Sequence, residues 1–228
     1  MYNHFLKILL VCFLVSLISG CKKESILPVS PSLNYFPVQK GKWIEYSVDS
    51  IVHADNDNNN DDSVYYYYYF VREVIDSSFI DGAGRTAQVI LRYKRFDMQS
   101  PWTLSKVWTQ VLSDVGAFRT EDNYTFEKLG FPINRKTTWN GNNMNVLDEE
   151  FYVYKNIHSS FTMNNQTFDS TLNVIQIDEN NYIERRYGIE TYATGIGVIY
   201  KERDDLEKRL GIVVKGVEFK MQMIQYGE

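Results

Sequence analysis

Short segments in which apolar and polar residues alternate, separated by turn-forming residues, recur along most of this chain. In residues 44–49, Ile44, Tyr46 and Val48 alternate with polar side chains, and residues 217–223 repeat the pattern near the C terminus. A period of two is typical of β-strands with one buried face. Aromatic residues make up 15% of the chain, a composition that favours strands. The pattern predicts an all-β domain of roughly ten strands, as an antiparallel sandwich, an open barrel or a strongly curved sheet.

Three segments are ambiguous. Residues 63–75 contain five consecutive tyrosines and then Phe70, so that a strand here is aromatic on both faces. We expect a structural role with one face in the core, because tyrosine tolerates partial exposure; the alternative is an exposed aromatic binding surface. Residues 102–112 fit a helix or a strand, and the β-branched residues favour a strand. Residues 204–210 predict a charged turn or one short helix.

Two stretches resemble each other. Phe36 is followed by Pro37 and then Trp43, and Phe131 is followed by a proline and then Trp139. In both, proline would fix a bend, the preceding aromatic ring would pack under it, and the tryptophan would begin the next strand. The two stretches are either an internal pseudo-repeat or a convergent way to enter a strand. Two copies are too few to decide between these.

The N terminus predicts export and lipidation. Lys7 precedes the apolar residues 8–18, a run too short to cross a bilayer and typical of a signal peptide. The run ends in Leu-Ile-Ser-Gly-Cys, which predicts that Cys21 becomes the first mature residue and carries acyl chains such as palmitate. The alternative is a plain secreted protein with an accidental cysteine.

The predicted organisation is a signal peptide over residues 1–20, a tether over residues 21–34 and a single β domain over residues 35–228. The tether is rich in serine and proline and has little apolar surface to order it. The other cysteine, Cys12, lies in the signal peptide, so that a disulfide within the mature chain, a zinc–thiolate site and a cysteine nucleophile are excluded.

Four stretches of the sequence resemble uncharacterised lipoproteins of Bacteroidota. They are the lipobox (Leu-Ile-Ser-Gly-Cys, ending at Cys21), the two Phe-Pro…Trp stretches, and YATGIGVIYKE at residues 192–202. The resemblance implies a lipid-anchored envelope protein, in the outer membrane, and it implies no activity and no catalytic residue. In those bacteria an acidic run after the cysteine resembles a surface-export signal. Residues 22–25 are Lys-Lys-Glu-Ser, with one acid, so that the periplasmic and the surface leaflet both stay open.

Two features of the sequence bear on ligands other than lipid, namely metal ions and nucleic acid. Asp55, Asp57 and Asn59 match the first ligand positions of a calcium loop, but Asn60 replaces its glycine and Tyr66 its bidentate glutamate. We therefore predict a solvated hairpin tip and no metal. The formal net charge of −5 argues against a nucleic-acid partner, which requires a clustered basic face.

No catalytic motif is evident. The mature chain keeps only His53 and His158, each predicted to be a surface imidazole, and a G-x-S-x-G motif is absent. We predict no catalytic residue and no cofactor, and a non-catalytic envelope lipoprotein whose β domain binds a ligand, a glycan or a partner protein, or is structural. The alternative is a glycan-active hydrolase that uses paired carboxylates, for which residues 148–150 and 204–205 supply acids. Binding of lipid would require a roomy apolar cavity.

Overall fold

A computed structural model describes residues 34–54 and 63–228. Cys21, the predicted signal peptide and nearly all of the tether, and the calcium-like residues 55–62, lie outside these residues. The described residues form twelve strands, all antiparallel to their neighbours: β1 Trp43–Ala54, β2 Ser63–Ile80, β3 Thr86–Arg95, β4 Thr103–Leu112, β5 Gly116–Glu121, β6 Tyr124–Gly130, β7 Thr138–Asn140, β8 Phe151–Met163, β9 Gln166–Asn180, β10 Glu184–Ala193, β11 Gly197–Arg209 and β12 Ile212–Gly227.

The twelve strands form one sheet in the order β6-β5-β4-β3-β2-β1-β12-β11-β10-β9-β8-β7. The two edges of the sheet meet, because the backbone N–H of Glu127 on β6 donates to the carbonyl of Gly141, 2.9 Å away, just after β7. The indole Nε1 of Trp139 also donates to the carbonyl of Glu127 at 2.8 Å. The prediction of an all-β fold is confirmed, and the architecture is the open barrel, with twelve strands instead of about ten.

The two Phe-Pro…Trp stretches have equivalent places in this sheet. Trp43 begins β1 and Trp139 lies in β7, and each of these is the first strand of a run of six sequential neighbours. The sheet is thus two six-stranded meanders joined where β1 pairs with β12. This arrangement is the one that an internal pseudo-repeat requires.

Two of the ambiguous segments are strands. Residues 103–112 form β4, as favoured from the sequence. The prediction of a turn or short helix at residues 204–210 is wrong, because β11 continues through Arg209. Asp204 and Leu206 are buried in this strand whereas Asp205 and Glu207 are exposed. The side chains of this segment therefore alternate between buried and exposed, as expected for a strand. The sequence does not show this alternation, because one of the buried positions is occupied by the charged Asp204.

The barrel is filled at one end, which we call the filled end. Tyr35 and Phe36 are buried there, before β1 begins. The side-chain amide of Gln110 donates to the carbonyl of Pro37 at 2.7 Å, and the N–H of Gly195 donates to the carbonyl of Asn34 at 2.7 Å. The segment that enters the domain thus closes the end at which β1 starts, and most of the apolar core lies there.

The opposite end, which we call the open end, holds the turns between β5 and β6 and between β9 and β10 and the loop from residue 141 to 150. Among the described residues, no helix has the length and apolar character needed to cross a bilayer.

Candidate functional site

The barrel interior, or lumen, is apolar near the filled end and charged in its middle. Alternation along the strands places one face of each strand in the lumen. Nine acidic or basic side chains line the cavities between the middle of the lumen and the open end, and they come from at least six elements. They are Glu73, Arg92, Arg119, Glu121, Lys128, Glu150, Glu190, Lys201 and Arg203.

The deepest ionic cluster is built around Glu73 on β2, which is buried. Its carboxylate pairs with the guanidinium of Arg92, its cross-strand neighbour on β3, and accepts from Arg119 Nη1 at 3.0 Å. Arg119 also donates to Gln110 Oε1 at 2.9 Å. Burial by itself would lower the pKa of Arg119, but the nearby carboxylates, Glu73 first, outweigh it and the pKa is raised. This guanidinium is therefore a fixed positive charge.

The next cluster is built around Glu190 on β10, which is only 1% exposed. Its carboxylate accepts from Lys128 Nζ at 2.7 Å and from the hydroxyl of Tyr192 at 2.6 Å, and Lys201 Nζ lies 3.2 Å away. Burial alone would raise the pKa of Glu190, but Lys128 and Lys201 outweigh it and hold the pKa well below its usual range. Glu121 lies 3.4 Å from Lys128, and its pKa is lowered for the same reason. Both carboxylates, Glu190 and Glu121, are therefore ionised at neutral pH.

The third cluster lies nearest the open end. Glu150, the last residue of the loop from 141 to 150, accepts from Arg203 Nη2 at 2.6 Å and from Arg203 Nη1 at 3.1 Å. Arg186 Nη2 donates to the same carboxylate at 3.2 Å. Gly188 on β10 is the cross-strand neighbour of Arg203 on β11. A side chain at Gly188 would lie 2.9 Å from Nη1 of the Arg203 guanidinium. The missing side chain makes room for Arg203 in the lumen.

A cavity of about 250 Å³ opens to solvent beside the second and third clusters. Its wall combines charged groups with two side-chain amides and with aromatic and aliphatic surface. The lining residues are Glu121, Phe126, Lys128, Asn142, Leu147, Glu150, Tyr152, Gln176, Lys201 and Arg203. Deeper in the lumen, the described residues enclose two cavities of about 30 and 40 Å³, each close to the space of one or two water molecules.

The tyrosine run of β2 extends beyond the lumen toward the open end. Tyr65, Tyr66, Tyr67 and Tyr68 are all exposed, by 50 to 76%, although successive residues point to opposite faces. The expectation that one face of this run lies in the core is wrong for these four residues and holds only from Tyr69 onward. The reason is that the pairing of β2 with β3 ends at Phe70 and Arg95, so that residues 65–68 are paired only with β1.

A second aromatic cluster lies on the outer face near the start of β1. The guanidinium of Arg72 lies 5.1 Å from the ring of Trp43 and 5.0 Å from that of Trp102, and Arg95 lies 4.2 Å from Trp102. Glu45 is fully buried beneath them and pairs with Arg72 and Arg95. This stack of cations and rings is a stabilising feature of the wall.

The sequence-predicted candidates do not assemble into a catalytic site. His53 Nε2 lies 2.8 Å from Glu218 near the open end, whereas His158 Nδ1 lies 2.9 Å from the hydroxyl of Tyr35 at the filled end. Asp204 pairs with Arg185 at 2.8 Å. Within residues 34–54 and 63–228, no group of three or more His, Cys, Asp or Glu side chains is placed to hold a metal ion.

Sequence reasoning missed the lumen charges because it assigned the apolar residues of each strand to the interior. On β3, the inner face carries Ile90 together with the polar side chains of Gln88 and Arg92. A usable signal was present in the pairing of opposite charges: Glu73 faces Arg92, and Glu190 faces Lys201 across adjacent strands. That signal becomes readable only once the register is known.

Comparison with known proteins finds distant fold similarity. No protein-family model matches the chain, and no curated protein matches its sequence. A candidate lipoprotein from Parabacteroides distasonis ATCC 8503 is 10% identical, with a TM-score of 0.43 over 85% of this chain and 98% of that chain. A candidate exported protein with a YmcC-like fold from Bacteroides fragilis NCTC 9343 is 12% identical, with a TM-score of 0.42 over the same shares. At these identities neither structure transfers a residue role to this chain.

Proposed function

We propose that this protein is a lipid-anchored, non-catalytic envelope protein that binds a saccharide in the lumen, through the open end of the barrel. The observation that carries the proposal is the cavity of about 250 Å³, which opens at one end of a barrel whose other end is filled. A concave cavity with a few convergent polar groups is the usual form of a small-molecule site.

The composition of the cavity wall favours a sugar over an apolar ligand. Asn142 and Gln176 offer amide donors and acceptors, and Tyr152 and Phe126 offer ring surface beside them. Hydroxyl groups of a sugar need such hydrogen-bond partners, whereas a lipid tail needs a large apolar space. The mainly apolar cavity holds only about 30 Å³, which does not admit an acyl chain. The lipid-binding variant is therefore not supported.

The ionisation of the lumen acids argues against the hydrolase alternative. Glu121 and Glu150 line the same cavity, but a glycosidase needs one carboxylic acid with a raised pKa. The pKa of Glu121 is lowered, since attraction by Lys128 and Lys201 outweighs its burial, and Glu150 is held by Arg203 in a two-pronged ion pair. Glu121 is therefore a poor proton donor at neutral pH, and the carboxylate of Glu150 is occupied by Arg203 and Arg186. Binding without hydrolysis is the better-supported function.

Lipidation of Cys21 would attach the membrane anchor at the filled end. Asn34 is the first described residue and bonds to Gly195 at that end. Residues 22–33 connect it to Cys21 and, fully extended, span at most about 45 Å. The outer membrane is the proposed location.

Binding is tested by titrating the mature chain with mono- and disaccharides in a calorimeter. We expect binding by the wild type, at least tenfold weaker binding by Gln176→Leu, whose side chain lines the cavity, and unchanged binding by Asp169→Leu, an exposed position on the same strand. A wild type that binds none of a broad glycan panel, or cleavage of a bound glycan into products, would contradict the proposal.

The anchor is tested separately in cells. Cys21→Ser should move the protein from the membrane fraction to the soluble fraction and abolish incorporation of labelled palmitate. Cys12→Ser, within the predicted signal peptide, is the matched control and should leave both unchanged. Palmitate incorporation into the Cys21→Ser variant would refute the predicted lipidation site.

A further inference from the structure

The lumen carries an excess of positive charge in a protein that is acidic as a whole. Five cationic and four anionic side chains line its charged cavities, against a formal net charge of −5 for the chain. Positive groups enclosed by low-dielectric walls concentrate the field and attract anions from solution. The nine charged side chains that line these cavities thus sum to +1, in a chain whose formal net charge is −5.

The unused hydrogen-bonding capacity lies on β11. Lys201 and Arg203 are two residues apart, so that both point into the lumen, and both line the cavity of about 250 Å³. Lys201 has three donors and one carboxylate within reach, Glu190 at 3.2 Å, which already accepts from Lys128 and Tyr192. The Lys201 side chain is 25% exposed, so that it can reach an incoming group.

Arg203 is held in place for such a role. Glu150 binds both of its terminal nitrogens, which fixes the plane of the guanidinium, and Arg186 shares the same carboxylate. Two arginines thus face one glutamate at the entrance, and Lys128 lies deeper in the cavity wall. An oxyanion placed between Lys201 and Arg203 would meet charge-assisted donors on both sides without displacing the existing pairs.

We propose that the ligand is an acidic saccharide, whose carboxylate or phosphate group binds between Lys201 and Arg203 while its sugar ring lies against Tyr152 and Phe126. This inference rests on the proposed function, because it names the class of saccharide that the same cavity takes. Uronic acids and sugar phosphates share the required chemistry, a single oxyanion beside a ring with hydroxyl groups. A neutral sugar lacks the group that balances the excess charge.

The test is calorimetric titration of the mature chain with galacturonic acid, galactose and inorganic phosphate, each at low and high NaCl concentration. We expect galacturonic acid to bind at least tenfold more tightly than galactose and to weaken as salt is added. Lys201→Met should lose about tenfold in affinity for galacturonic acid and show a weaker dependence of that affinity on NaCl concentration. Lys220→Met, on the outer side of the wall, is the matched control and should change neither.

Each result bears on a different claim. Equal, salt-independent binding of galactose and galacturonic acid would overturn the acidic-ligand inference and leave saccharide binding intact. Phosphate binding as tight as that of the sugar acid, with no galactose binding, would overturn the saccharide function and keep the anion site. Should Lys201→Met fail to fold, Lys201→Arg keeps the charge, and the salt dependence of the wild type still decides.

Discussion

Glu190 shows how a charge can be kept inside this barrel. It has two lysine partners and a tyrosine hydroxyl within 3.2 Å, so that its desolvation is offset on three sides. A buried ion pair adds little stability relative to apolar residues of the same shape, but removing one partner leaves an uncompensated charge. Removing one member of a lumen cluster should therefore lower the free energy of unfolding, whatever the intact cluster contributes to the stability of the fold.

Replacing Glu190 by alanine should lower the free energy of unfolding by about 3–5 kcal/mol at neutral pH, because Lys128 then lies buried beside fewer carboxylates. Urea-induced unfolding followed by tryptophan fluorescence measures the change. Glu218→Ala is the control, since Glu218 pairs with His53 at a partly exposed site and should cost less than about 1 kcal/mol. Equal losses in the two variants would contradict the assignment of Glu190 as a buried charge.

Acid should destabilise the protein through the lumen carboxylates. Burial would raise the pKa values of Glu121 and Glu190, but the lysines lower both, so that each group binds a proton more weakly in the folded than in the unfolded state. Their contribution to stability is present above the unfolded pKa of about 4.3 and is lost as the pH falls toward the folded values. The urea concentration at the unfolding midpoint should therefore decrease as the pH is lowered from 5 to 3. The decrease should be smaller for Glu190→Gln.

Among the elements, the long pair β11 and β12 depends on a glycine at a crowded point. Gly216 has a φ of 128°, and a side chain there would overlap the carbonyl oxygen of Asp205 on the partner strand. Close approach of backbones is one of the few reasons for glycine inside a strand. This position keeps the two strands close near the open end, where β11 presents Arg203 to the lumen.

Gly216→Ala should therefore destabilise the protein by more than about 2 kcal/mol, through strain at positive φ and the displacement of Asp205. Gly82→Ala is the matched control, because a side chain at Gly82 meets nothing within 4 Å, and it should change stability by less than about 0.5 kcal/mol. Thermal unfolding of both variants measures the difference. Indistinguishable melting temperatures would show that the strands can separate there at no cost.

At the scale of the whole molecule, side chains fill one end of the barrel, so that the lumen opens to solvent at the other end. Phe36 is only 3% exposed although it precedes the first strand. Its ring lies 5.7 Å from the guanidinium of Arg119, which belongs to the deepest ionic cluster. The entering segment thus contributes to the core and packs at the floor of the lumen.

Phe36→Ala should cost about 3–4 kcal/mol, the usual loss for truncating a buried phenylalanine. Phe79→Ala, at an exposed position on β2, is the control and should cost less than about 1 kcal/mol. Chemical unfolding measures both. If the two losses were equal, the filled end would be peripheral to the core and the domain would begin at β1.

The sequence by itself determined the strands, their turns and the all-β class. Period-two alternation marks a strand whatever its surroundings, and the paired asparagines 164 and 165 specify the tight turn between β8 and β9, where both have positive φ. These are local properties of the backbone and of neighbouring residues. For the same reason a charged strand such as residues 204–209 was misassigned, because local chemistry there favours a turn as well as a strand.

Only the tertiary structure decided which face of each strand lies inside. In a flat or sandwiched sheet, Glu73, Arg92 and Glu190 would read as ordinary solvent-facing residues. Closure of the sheet between β6 and β7 encloses them, because a barrel has an interior that a single strand cannot specify. The lumen charges, the cavity and the exposed tyrosines all follow from strand order and register, which are set by contacts between residues far apart in the chain.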